Sequence, residues 1–216
     1  MDKAPFIGIR RLRIGTDGHG ITTLVGFHGC PLQCQYCMNP QCHDENPRLW
    51  KTPDEVMEIL KKDELYFRAT KGGVTFGGGE PLLWSQFIIA VLEAGAKQWQ
   101  TNIETSLNVP IENLSILLPY IDEYIIDVKD MDSTIYETYA KKDNQQVKDN
   151  LRWLINHIGT DHITVRIPLI PDFNDVEAQE RSRMELIAMG ITRFDTFTYK
   201  TNKQYNYERK RQMRIS

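Results

Sequence analysis

ITTLVGF (21–27), PDEVMEILKK (53–62) and GGVTF (72–76) form a short apolar run, an amphipathic run and a second short apolar run. That order is the signature of a strand, a crossover helix and a parallel strand. The alternation continues through WSQFIIAVLEAGA (84–96), TNIETS (101–106), IENLSILL (111–118), EYIIDVK (123–129), QVKDNLRWLI (146–155), HITVRIPLI (162–170), EAQERSRMELIAMG (177–190) and ITRFDTF (191–197). Counting strands gives about six βα units, short of the eight in a closed barrel. The expected fold is therefore α/β, a partial (βα)6 TIM-type barrel in a single domain, with a doubly wound open sheet as the competing arrangement.

Local signals sharpen individual elements. Thr52-Pro53-Asp54-Glu55 reads as an N-cap, a proline at the first helical position and a glutamate closing a capping box. Gly95, Gly159 and Gly190 fall near the ends of helical runs, where a left-handed residue would stop the helix. Residues 1–20 read as a lead-in and 200–216 as a basic, weakly periodic tail to one domain spanning 1–216.

Composition excludes several classes of function. With 26 basic and 29 acidic residues, the net charge of -3 gives no electrostatic footprint for nucleic acid or an anionic membrane. No segment approaches the roughly 20 apolar residues of a membrane span, so a cytoplasmic protein is expected. All four cysteines lie between Cys30 and Cys42. Disulfides stabilise most when they close long loops, so this crowding favours metal ligation.

Cys30, Cys34 and Cys37 are spaced C-x3-C-x2-C directly after the first apolar run, and the loop after a barrel strand is where sites form. Three thiolates can hold three irons of a 4Fe-4S cubane and leave the fourth open. The alternative is a closed zinc site that recruits Cys42, with His28 or His43, as further ligands. Downstream, the glycines of GGVTFGGGEPLL permit close backbone approach and Glu80 supplies an acceptor, with no lysine following as in a P-loop. Glu104 and Thr105 sit at one strand end, Asp127 and Lys129 share a face of another, and Arg166 lies in an apolar strand. An Asp127–Lys129 pair could simply satisfy itself, and the Arg166 guanidinium either pairs internally or reaches an anion.

TDGHGITTLVGFHGCPLQCQYCMNP (16–40) resembles the opening of glycyl-radical-enzyme activating enzymes, a radical S-adenosylmethionine family typified by pyruvate formate-lyase activating enzyme. GGGEPLL, ETS, DVK and RIPLIP are similar to further segments of that family, and the resemblance runs from Ile14 to Glu208. It implies a 4Fe-4S cluster on Cys30, Cys34 and Cys37, with S-adenosylmethionine bound at its open iron. Tyr36 and Met38 would lie against the adenosine, and Gly78, Gly79 and Glu80 would receive the cofactor's amino group. Glu104, Thr105, Asp127, Lys129 and Arg166 would meet its ribose, carboxylate or sulfonium side. The implied reaction is reductive cleavage to a 5'-deoxyadenosyl radical that takes hydrogen from a glycine Cα of a partner glycyl radical enzyme, with flavodoxin or a similar one-electron donor. Relatives carry a histidine where Lys200 precedes YNYE, so that contact departs from the pattern.

Overall fold

The structure is a computed structural model and describes residues 2–47, 49–95 and 99–199. Lys200 and the YNYE segment lie outside the described residues. Eight strands form one sheet: β1 (Ala4–Ile14), β2 (Ile21–Phe27), β3 (Leu49–Lys51), β4 (Gly73–Gly78), β5 (Gln100–Thr105), β6 (Glu123–Asp127), β7 (Ile163–Leu169) and β8 (Arg193–Thr198), in the order β3-β1-β2-β4-β5-β6-β7-β8. From β2 to β8 each neighbour is parallel, which supplies the six strands expected from the βα repeat. The sheet does not close on itself.

The crossovers are α1 (Pro53–Lys61) and α2 (Glu64–Thr70) before β4, α3 (Ser85–Glu93) before β5 and α4 (Ile111–Ser115) before β6. The helices α5 (Ser133–Ala140) and α6 (Gln145–Ile158) precede β7, and α7 (Val176–Ala188) precedes β8. Strand alternation sends Val74, Phe76, Ile103, Ile126 and Val165 into the apolar core. The opposite set, Thr75, Asn102, Glu104, Asp127 and Arg166, is polar, as suits the inner face of a barrel that holds a site.

At Thr52 the capping box is complete: its hydroxyl accepts from Glu55 N, and Glu55 Oε2 accepts from Thr52 N. Gly159 and Gly190 take positive φ as expected. Gly95 does not. A Cβ there would lie 2.3 Å from Met57 Cε, so this glycine makes room for helix packing instead.

Within the lead-in, residues 4–14 form β1, antiparallel to β2 and to the three-residue β3. Only the start of β1 is buried; its later half carries exposed arginines, which hides the strand period. The β1–β2 turn folds under the polar inner face. Asp17 O accepts from Thr75 Oγ1, and a Cβ on Gly18 would sit 2.4 Å from Asn102 Nδ2.

Candidate active site

The cysteines lie on the loop that leaves the C-terminal end of β2, pinned on two sides. Towards β4, Gly29 O accepts from Glu80 N at 2.7 Å, Gly29 N donates to Cys42 O at 2.9 Å, and His28 O accepts from Trp84 Nε1 at 2.8 Å. On the other side, Gln33 N and Gln35 N donate to Ala140 O and Tyr139 O, filling carbonyls that the end of α5 would otherwise leave unpaired. Cys30, Cys34 and Cys37 are free, half-buried thiols, whereas Cys42 is buried.

The four sulfurs differ in environment. Cys42 is hydrogen-bonded to both Cys30 and Cys37; this lowers the pKa of Cys30, pushes Cys37 down to about 6 and raises that of Cys42 itself. Burial pushes Cys34 up to about 11, against the pull of the Lys129 charge. Three free thiols on one loop, close enough to perturb one another, fit the three-iron attachment of an open cubane.

The glycine turn is pressed against the root of this loop. A Cβ on Gly78, whose φ is +100°, would come within 2.7 Å of Gly26 Cα and Phe27 N, and one on Gly79 within 2.2 Å of Gly29 O. These glycines are required by backbone packing, whatever binds beside them. Glu80 is buried and caps the 3-10 turn Pro81–Trp84. Its carboxylate accepts from Leu82 N, Thr105 Oγ1, Ser106 N and Ser106 Oγ at 2.6–3.2 Å, while burial holds its pKa above the usual carboxylate range. Both side-chain oxygens are therefore committed inside the protein.

Alternation places Glu104 and Thr105 on opposite faces of β5, so they do not act together. Thr105 joins Glu80. Glu104 faces Arg166 Nη1 at 2.5 Å, and Arg166 Nε reaches Asp195 at 3.0 Å. Burial pushes Glu104 up to about 7 although Arg166 pulls it down. The Arg166 guanidinium thus pairs internally. Lys129 lies two residues past the end of β6, with Nζ 2.7 Å from Asp127 Oδ2 and 3.2 Å from the Tyr199 hydroxyl. Burial opposes its charge, but Asp127 and Tyr199 hold its pKa well above the ordinary value. Asp127 Oδ1 is buried and has no partner among the described residues, an acceptor left over at the strand end.

Tyr36 packs at the edge of this constellation, its ring 6.3 Å from that of Tyr139, whereas Met38 stands apart from it. The Tyr36 hydroxyl donates to Asp172 Oδ2 at 2.8 Å with its ring edge-on to Phe173, and Met38 is 70% exposed. Ser106, Asp195, Tyr139 and Tyr199 join the site without having been singled out in the sequence. Parallel register opposite Arg166 would have flagged Asp195. Tyr199 stands just past the last apolar run, where it reads as the start of the tail.

Residues 24–183 match the Radical SAM superfamily. The chain belongs to this superfamily. It is 30% identical over 221 residues to the (2S)-3-sulfopropanediol dehydratase activating enzyme of Klebsiella oxytoca, covering 74% of this chain and 69% of that protein. To the pyruvate formate-lyase 2-activating enzyme of Escherichia coli strain K12 it is 32% identical over 204 residues, covering 80% and 68%. The fold of SuiB from Streptococcus suis, in a crystal structure with S-adenosylmethionine, superposes with a TM-score of 0.60 at 20% identity, covering 79% of this chain and 38% of SuiB. Membership makes the protein an enzyme of radical chemistry, and the superfamily implies a 4Fe-4S cluster and S-adenosylmethionine. Among the described residues of this radical SAM enzyme, no helix is long and apolar enough to cross a membrane.

Proposed function

We propose that this radical SAM enzyme activates a glycyl radical enzyme. One observation carries the reading: three free thiols sit on a loop hydrogen-bonded to the glycine turn after β4, with the Asp127–Lys129 pair after β6 at the same end of the sheet. The named activating enzymes among its relatives support the choice of substrate. When bound, the cluster and S-adenosylmethionine supply one electron and a cleavable carbon–sulfur bond, and hydrogen leaves a partner glycine Cα for the 5'-deoxyadenosyl carbon.

Cys30, Cys34 and Cys37 hold the iron. Gly78, Gly79 and Glu80 offer backbone carbonyls to the cofactor's amino group, since the Glu80 side chain is spent holding Thr105 and Ser106 in place. Asp127 Oδ1 and the Lys129 ammonium provide an acceptor and a donor for the ribose or carboxylate. Glu104 and Arg166 orient that strand end as a pair, Thr105 does so through Glu80, and Tyr36 and Met38 close over the adenosine from the cluster loop. A flavodoxin-like protein donates the electron. Residues 1–216 act as one domain in the cytoplasm, without nucleic acid or membrane. The open sheet edge admits a flexible glycine loop where a metabolite would need a deep pocket.

The test is a reaction with dithionite, S-adenosylmethionine and candidate glycyl radical enzymes. A glycyl doublet by electron paramagnetic resonance, with 5'-deoxyadenosine formation raised by the partner, is the expected outcome. Turnover of a small molecule or a ribosomal peptide with no doublet on any glycyl radical enzyme overturns the substrate assignment.

Lys129→Met should weaken S-adenosylmethionine binding by about 1.5–3 kcal/mol, the scale of one charged hydrogen bond, with iron content unchanged. Calorimetric titration reads this directly. Unaltered affinity would leave Asp127–Lys129 a purely structural pair.

A further inference from the structure

Cys42 and its neighbour His43 have no part in the function just proposed, yet the fold brings them to the cysteine loop. The ligand atoms of Cys37, Cys42 and His43 all lie within 4.8 Å of one another, and Cys30, outside that group, is hydrogen-bonded to Cys42. A tetrahedral zinc centre with bonds of about 2.3 Å to sulfur has edges of about 3.8 Å, so a contraction of roughly 1 Å brings these three donors together, and Cys30 must turn in from its contact with Cys42 as the fourth. Side-chain rotation alone can supply that.

We infer that Cys37, Cys42 and His43, with Cys30 as the fourth donor, form a second metal site that takes one zinc-type divalent ion. Three features point to it. Cys37 and Cys42 are spaced C-x4-C, within the range of closed zinc sites. Cys42 is held in place from both sides, in the 3-10 turn Pro40–His43 with its nitrogen bonded to Asn39 O and its carbonyl to Gly29 N, both at 2.9 Å. His43 is exposed and gives an ion a way in from solvent. Borderline-soft ions prefer this thiolate and imidazole set over the oxygen ligands taken by magnesium or calcium.

Binding holds all three sulfurs as thiolates and the imidazole neutral, with any remaining thiol protons released to solvent; no electron moves. Cys34 stands outside the set. Because Cys30 and Cys37 would serve both centres, the zinc-type ion and the cluster exclude each other, a consequence that rests on the cluster reading above. The ion binding itself does not depend on that reading.

The test uses the full chain, reduced and stripped with a chelator, and cobalt(II) as the probe. One equivalent of cobalt should give intense tetrahedral absorption with thiolate-to-cobalt charge transfer. Cys34→Ala should keep that spectrum while losing the cluster. His43→Ala and Cys42→Ser should weaken cobalt binding by more than about 100-fold, beyond what outer-shell changes cost, and still take up iron and sulfide. His43 is exposed, so its variant keeps the test valid if Cys42→Ser misfolds. Zinc added before reconstitution should block iron uptake until it is chelated. A weak octahedral spectrum, or one lost in Cys34→Ala and kept in His43→Ala, overturns the second site. Failure of His43→Ala to load iron would count against the cluster assignment instead.

Discussion

Replacing any one of Cys30, Cys34 or Cys37 by alanine should abolish iron loading, and with it the proposed cleavage of S-adenosylmethionine. On the proposed reading each would hold one iron of the cubane, and the loop offers no spare thiol at the Cys34 position. Cys42 is buried and hydrogen-bonded to both Cys30 and Cys37, so Cys42→Ala should leave the three proposed ligands in place. Iron and sulfide analysis after anaerobic reconstitution distinguishes the variants. Equal loss of iron in Cys42→Ala and Cys34→Ala, with zinc present instead, would sink the cluster.

The second large effect is on stability. Arg166→Met removes the cation between Glu104 and Asp195 and leaves Glu104 beside Asp127 and Asp17, at a cost below the ~3–5 kcal/mol of a fully buried pair, because Asp195 is half-exposed and Glu104 can take a proton. The deficit depends on pH in a definite direction. In the folded wild-type chain Glu104 titrates at about 7 against an ordinary value of 4.5, because burial outweighs the pull of Arg166. A carboxyl group raised on folding contributes its stability below the unfolded value and loses it as pH rises through the folded one. Without Arg166 the folded value rises further, and the loss continues above about 7. The variant should therefore lag the wild type most at pH 8 and recover part of the difference towards pH 5, as read by urea unfolding. Equal deficits at both pH values would show that Arg166 acts through packing alone.

Much of this architecture was legible in the chain because the relevant signals are local. A parallel strand buried on one face, a capped helix and a glycine stop each announce themselves within about ten residues, and Thr52 and the six parallel strands stand where the pattern put them. β1 escaped because Arg10 and Arg11 in its later half are exposed, which hides the strand period. The cysteine triplet was legible for the same local reason. What it did not show was pairing between distant elements: that the Glu80 side chain is consumed by Thr105 and Ser106, that Arg166 meets Glu104 and Asp195, or that Tyr199 supports Lys129. Spacing along one chain carries the strand a side chain belongs to, whereas its partner depends on register across the sheet.

The clamp between the cysteine loop and α5 also sets an order of events during synthesis. Gly29 gains its contacts once Cys42 and Glu80 have left the ribosome, but Gln33 and Gln35 cannot be held before Tyr139 and Ala140 exist. Until then the nascent loop is fastened along one flank and its thiols sample many arrangements. A metal delivered at that stage would meet a loop held on one flank only, whereas one delivered after α5 has docked would meet thiols already held on both, so loading is favoured once residues 139 and 140 are in place.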